Sequence, residues 1–233
     1  MNNLSHRKGK LKIRVTDKVG NVVSNAKVEI KQKNHEFLFG CGGFDVMAYV
    51  LAKDKADEGK KFRSDSCMEL FNYMTLPVYW GQFEPVEGEP LTENIRKTAA
   101  YLKEHNIKVK GHPLCWHTVC ADWLLKYDNN TIFNKQIERI YREVGDFKGL
   151  IDMWDVINEV VIMPVFDKYD NAVTRICNEL GQVELVKSVF DAASKTNPSA
   201  TLLLNDFNTT PKYEELIERC LDAGVGLSAI GIQ

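Results

Sequence analysis

Hydrophobic and polar positions near the start of the chain alternate with period two. Residues 11–15 alternate apolar with charged side chains, residues 17–21 (Asp-Lys-Val-Gly-Asn) carry turn chemistry, and residues 26–30 alternate again. This pattern predicts a β-hairpin. From residue 37 onward short apolar runs are separated by longer stretches with helical spacing. Residues 37–40 (Phe-Leu-Phe-Gly), leading into the glycine-rich 40–43, predict a first buried strand, and residues 72–80, 107–116, 151–158, 201–205 and 227–233 predict five more. Helices are expected over 56–70, 92–106, 130–144 and 213–223, with two further pieces across 169–195 parted near Gly181. In 92–106, Ile95, Thr98, Ala99 and Leu102 fall at i, i+3, i+4 and i+7, one face turned to a core. In 130–144 the corresponding stripe is Ile137, Ile140, Tyr141 and Val144.

Six strands alternating with helices predict an α/β protein with a parallel sheet, and the regular rhythm favours a (β/α)8 TIM barrel over an open sheet. The hairpin would form an N-terminal antiparallel β appendage over residues 1–36, ahead of a barrel domain over 37–233. The 197 residues after position 36 fall below the roughly 250 of a complete eight-fold barrel. The expectation is therefore an incomplete barrel, about six of eight strands, lacking its C-terminal part.

Composition narrows the chemistry. The chain is 44% hydrophobic and 27% charged, with a net charge of −2 and both signs interspersed, which argues against a nucleic-acid partner. No apolar run approaches the roughly 20 residues of a membrane helix, so no membrane partner is expected. Residues 1–10 carry positive charge with no apolar run behind them, so no secretory signal is expected. The six cysteines (Cys41, Cys67, Cys115, Cys120, Cys177 and Cys220) are irregularly spaced, a pattern closer to reduced, buried thiols than to a disulfide framework. Cys115 and Cys120 lie near His112 and His117. The order His-x2-Cys-x-His-x2-Cys matches no usual zinc spacing, so no metal or cofactor is expected, and a metal-dependent barrel hydrolase ranks last among the readings.

Polar residues recur where the expected strands end, the position at which parallel barrels gather their chemistry. The fourth strand ends in Asn158 and Glu159, making Glu159 a candidate working carboxylate; a capping role for the pair is the structural alternative. On the third strand His112, Leu114 and Trp116 share a face, and His117 falls on the other unless the strand has ended. A sugar ring stacks on an indole while its hydroxyls need donors and acceptors nearby. The fifth strand ends Asn205-Asp206-Phe207-Asn208, where Asp206 reads equally as a turn former. By parity Asp155, Ile157 and Glu159 share one face, so Asn158 and Glu159 reach one ligand only if the strand ends or bulges between them.

Four motifs carry a resemblance: Gly-His-x-Leu-x-Trp-His over 111–117, Trp-Asp-Val-x-Asn-Glu over 154–159, Leu-Asn-Asp-x-Asn over 204–208 and Gly-Ile-Gln over 231–233. In order, from about residue 37 to 233, the chain resembles the family-10 glycoside hydrolases of endo-β-1,4-xylanase type. The resemblance implies a (β/α)8 barrel that cleaves xylan, a polysaccharide met outside the cell, with retention of configuration. It implies Glu159 as general acid/base, with His112, Trp116, Asn158, Asn205 and Gln233 around the bound sugar. The family's nucleophile is a Glu at the end of the seventh strand, whereas this sequence stops at the sixth. None of Glu84, Asp155 or Asp206 fits that position, so the chain alone is expected to be inactive. The sequence also departs from the family after the second strand. A Glu-Asn-x-x-Lys-Trp run is replaced by Leu-Pro-Val-Tyr-Trp at 76–80 followed by Glu84-Pro85, and Phe207 stands where the family often has Tyr. The altered loop motivates a second reading, a non-catalytic carbohydrate-binding protein on a decayed hydrolase barrel.

Overall fold

The computed structural model describes residues 8–33, 35–52, 55 and 57–233. The expected helix start at Ala56 and the first seven residues lie outside that set. The chain divides into two compact units, Met1–Phe37 and Leu38–Gln233.

In the first unit the turn forms as its sequence dictates. Asp17 Oδ1 accepts the N–H groups of Val19 and Asn21, both at 2.9 Å, Gly20 takes φ 91°, and Thr16 and Val22 make one antiparallel bridge. The two arms expected as strands over 11–15 and 26–30 do not form. Leu11, Val28 and Ile30 are exposed. A lone two-stranded ribbon has too little apolar face to bury, so alternation alone does not sustain it.

The second unit runs β1 (Gly40–Gly42), α1 (Phe44–Ala52), α2 (Glu58–Leu70), β2 (Tyr73–Pro77), α3 (Trp80–Phe83), α4 (Thr92–Glu104), β3 (Lys108–His112), α5 (Asn129–Asp146), β4 (Met153–Asn158), α6 (Ala172–Leu180), α7 (Gln182–Thr196), β5 (Thr201–Asp206), α8 (Pro211–Asp222) and β6 (Ala229–Ile232). All six strands are parallel, in the order β1-β2-β3-β4-β5-β6. This is the curled half of a (β/α)8 barrel, as the strand–helix rhythm requires. Helix starts follow their capping residues: Asp57, Asp128 and Asn171 each accept a backbone N–H from the first turn of α2, α5 and α6. The expected stripe of α4 is buried as written, Ile95, Thr98, Ala99 and Leu102.

Two local expectations are corrected, and one helix was not expected. The first strand falls on the glycine-rich Gly40–Gly42, and Phe37 and Phe39 before it are 73% and 56% exposed. Among the described residues β1 pairs on one side only, with β2, and ahead of it the Phe39 ring lies 5.6 Å from that of Phe71. Helix α1, apolar on most of its surface, shows no distinct face and escapes periodicity arguments. On α5 the buried face includes Gln136, Arg139 and Glu143 beside Ile132, Ile140 and Val144, while Tyr141 is 43% exposed. Periodicity scores charged residues as solvent-facing and therefore rotated that helix away from its true seat.

Candidate active site

The carboxyl ends of β2 to β6 surround one mouth. Residue Gly111 explains how β3 and β4 approach there: a Cβ at this position would lie 2.1 Å from Trp154 Cζ3, so only glycine admits the fully buried Trp154 indole. A Cβ on Gly231 of β6 would similarly lie 2.0 Å from Asn205 Oδ1, so that glycine makes room for the Asn205 amide.

The six residues singled out in the sequence come together in this mouth. Half-buried Glu159, just past β4, receives the Trp116 Nε1–H on Oε2 at 2.8 Å and the Gln233 Nε2–H on Oε1 at 3.0 Å. Its backbone N–H donates to Asn205 O at 2.9 Å, and its φ of 58° lies in the left-handed region. A non-glycine residue there costs of order 1–3 kcal/mol, a strain that collects at functional sites. The Asn158 and Asn205 amides meet at 2.7 Å, and Asn205 Nδ2 donates to Gln233 Oε1 at 3.3 Å. His112 Nδ1 lies 2.7 Å from Asp155 Oδ2, and its ring centroid is 6.1 Å from that of Trp116.

Asp155 sits beneath the mouth, fully buried. Its Oδ2 also holds Lys110 Nζ at 2.7 Å. Burial works most strongly against the Lys110 charge, but the Asp155 carboxylate outweighs it and holds the ammonium above its ordinary value. In the tautomer with its proton on Nδ1, His112 donates to the Asp155 carboxylate and Nε2 is left as an acceptor.

Parity on β4 does not survive. The register with β5 jumps from Asp155↔Leu203 to Ile157↔Leu204, a bulge at Val156 that changes the phase of every later residue. Through it Asp155 reaches His112 and Asn158 reaches Asn205, although counting by two separates them. The third strand ends at His112 rather than at Trp116. Beyond Pro113 the chain keeps a looser pairing, with Leu114 N–H donating to Asp155 O at 2.9 Å and Asn158 N–H to Cys115 O at 3.0 Å. His117 turns away and is buried with its ring 4.4 Å from Phe166, and this burial lowers its pKa to about 4.

Tyr79 was not singled out by the sequence, because it lies in the loop where the family pattern breaks. Its ring is 5.7 Å from His112 and 5.5 Å from Trp116, so it forms a wall of the mouth. The other carboxylates are structural. Asp206 Oδ2 and Oδ1 accept the backbone N–H groups of Val161 and Asn208 at 3.0 and 2.9 Å, the turn-forming alternative. Glu84, 3% exposed, is held by Arg142 at 2.6 Å, Trp80 Nε1 at 3.1 Å and the Gly88 N–H at 2.9 Å. All six cysteines are free thiols. Among the described residues no helix is long and apolar enough to cross a membrane.

A six-stranded parallel half-barrel whose polar side chains gather at the strand carboxyl ends places the chain among the (β/α) barrel proteins with a mouth site. Residues 47–233 match glycosyl hydrolase family 10, and the chain belongs to that family. It is 24% identical over 215 residues to an endo-1,4-beta-xylanase/feruloyl esterase of Xylanibacter ruminicola, covering 81% of this chain and 29% of that protein. It is 30% identical over 143 residues to a beta-1,4-xylanase of Dictyoglomus thermophilum, covering 57% of this chain and 38% of that one. Among solved structures, a GH10 endoxylanase retrieved from a sugarcane soil metagenome has the same fold, with a TM-score of 0.70 at 23% identity over 85% of this chain and 58% of its own. Xylanase 10B from Thermotoga petrophila in complex with xylobiose gives 0.66 at 21% identity, over 76% and 56%. The chain thus spans well under two thirds of each of these relatives.

Proposed function

We propose that this mouth is the acid/base half of a site that hydrolyses β-1,4 bonds in xylan by a retaining double displacement. The observation that carries the reading is Glu159 itself. It is aimed into the mouth from a left-handed turn at the end of β4 and, among the described residues, is held by the neutral donors Trp116 and Gln233. A retaining mechanism needs an acid that protonates the leaving oxygen and a nucleophile about 5–5.5 Å away. Glu159 takes the first role and then, as a base, activates the water that releases the sugar. Asp155, Asp206 and Glu84 are each bound to groups of the fold, so the second carboxylate is none of these. His112, with Nε2 free to accept, and the Asn158, Asn205 and Gln233 amides bind sugar hydroxyls, and Trp116 offers its face to the ring. The substrate partner is a xylan-like polysaccharide.

The test is Glu159→Gln in a protein carrying this chain within a closed barrel, with reducing-sugar release from xylan as the readout. Activity is expected to fall about 10²–10⁴-fold, the usual contribution of a positioned acid/base. The loss is expected to shrink for an aryl glycoside whose leaving group departs without protonation. A variant as active as the parent on xylan would overturn the assignment.

A further inference from the structure

The wall formed by Tyr79 has a second side. Tyr79 also lines a cavity of about 210 Å³ between α1, α3 and α4, whose lining is mostly apolar and includes Met47, Leu51, Pro77, Phe83 and Leu91. Gln82 and Asn94 complete the lining. Tyr79 is thus shared by this cavity and the mouth, and it stands where the family resemblance breaks. Its size sets what it holds. A dry apolar cavity of about 150 Å³ accommodates benzene, so this one takes a substituted aromatic ring. A sugar ring, with a hydroxyl on almost every carbon, would leave its polar groups unpaired against such walls.

We infer that Tyr79 is a specificity-determining residue, and that the cavity behind it receives an aryl ester substituent carried by the polysaccharide whose backbone lies in the mouth. Tyr79 packs against the substituent on one side and faces Trp116 and His112 on the other. Its half-buried ring hydroxyl has its pKa raised by burial, so it stays protonated and available as a donor to the ester oxygen. The polar Asn and Lys expected of the family after β2 are absent, and the pairing they would make with bare sugar hydroxyls is replaced by an apolar seat.

The inference rests on the glycan-binding reading of the mouth, and the experiment separates the two. Binding of an unsubstituted xylo-oligosaccharide and of the same oligosaccharide bearing one aryl ester is measured by calorimetry on the protein, on Leu91→Trp, which fills the cavity from its exposed edge, and on Tyr79→Ala. The esterified ligand is expected to bind the parent at least about tenfold tighter, from burial of the ring. That ratio is expected to fall to about one in Leu91→Trp and to drop in Tyr79→Ala, with unfolding curves confirming that both variants are folded. Equal affinity for the two ligands in the parent, or a preference that survives Leu91→Trp, overturns the inference and leaves the mouth reading intact. Binding of neither ligand overturns both. If Leu91→Trp does not fold, Met47→Phe fills the same cavity from α1 and is read by the same ratio.

Discussion

Glu159 and Glu84 each accept an indole N–H, from Trp116 at 2.8 Å and from Trp80 at 3.1 Å, yet their surroundings make them opposites. Glu84 is nearly inaccessible and lies against the Arg142 guanidinium. Burial alone would raise its pKa, but the hydrogen bonds from Arg142 and the Gly88 N–H hold it below the ordinary value. Next to it Arg139 grips Glu143 at 2.7 Å, donates to the carbonyls of Leu114 and Val78, and lies 4.9 Å over the Trp80 ring. This cluster fastens α5 to the loops after β2 and β3, and so holds the backbone that carries Tyr79 and Trp116. Glu159 has no ion pair among the described residues; its partners are neutral and it faces the mouth. A carboxylate locked by arginine is a structural charge, whereas one held by neutral donors is the setting that the acid/base proposal requires.

The comparison can be broken in several ways. The largest effect is expected from the contrast in Glu159→Gln between function and fold. Its activity falls by the factor given above, while its unfolding free energy changes by no more than about 0.5 kcal/mol, as for a substitution that leaves no charge or cavity behind. Equal losses in both would erase the distinction between the two glutamates. Next, Arg139→Ala leaves the buried Glu143 carboxylate with its longer contact to Arg142 at 3.4 Å and is expected to lower stability by about 3–5 kcal/mol in urea unfolding. A loss under about 1 kcal/mol would show that the cluster does not hold the loops.

Third is pH. His117 is neutral in the folded chain because burial lowers it to about 4, against 6.5 when exposed. The unfolded chain therefore binds the extra proton first, and this stability is fully present above about pH 6.5 and lost as pH falls toward 4. By 1.36 kcal/mol per unit the loss approaches about 3 kcal/mol. His117→Phe, compared with the parent across that window, is expected to flatten the slope. The smallest expected effect is Gly111→Ala, whose Cβ meets the Trp154 indole and should cost about 1–3 kcal/mol by overpacking, read from the denaturant midpoint.

Much of the barrel was legible along the chain because a parallel barrel repeats one simple unit. Each strand is an apolar run, each helix an amphipathic stretch, and both show as periodicity. The misses are places where periodicity carries no information. Helix α1 has no polar face, β1 is written in glycines, and α5 hides an arginine and a glutamate that neutralise each other. In the mouth, residues such as Glu159 and Trp116 stood out because polar and aromatic side chains at strand ends have little structural reason to be there. Tyr79 did not, because it lies where the family pattern breaks and no motif marks it.

The sequence by itself determined the number and order of strands and the end of the sheet at which polar groups collect. Only the tertiary structure decided which of those groups share a site. The bulge at Val156 rephases β4, so faces assigned by counting are wrong beyond it, and two glutamates that each accept an indole N–H differ in their burial and in whether an arginine from another helix reaches them. Such facts depend on residues distant along the chain arriving at one point. Local spacing encodes periodicity, but it does not encode that arrival.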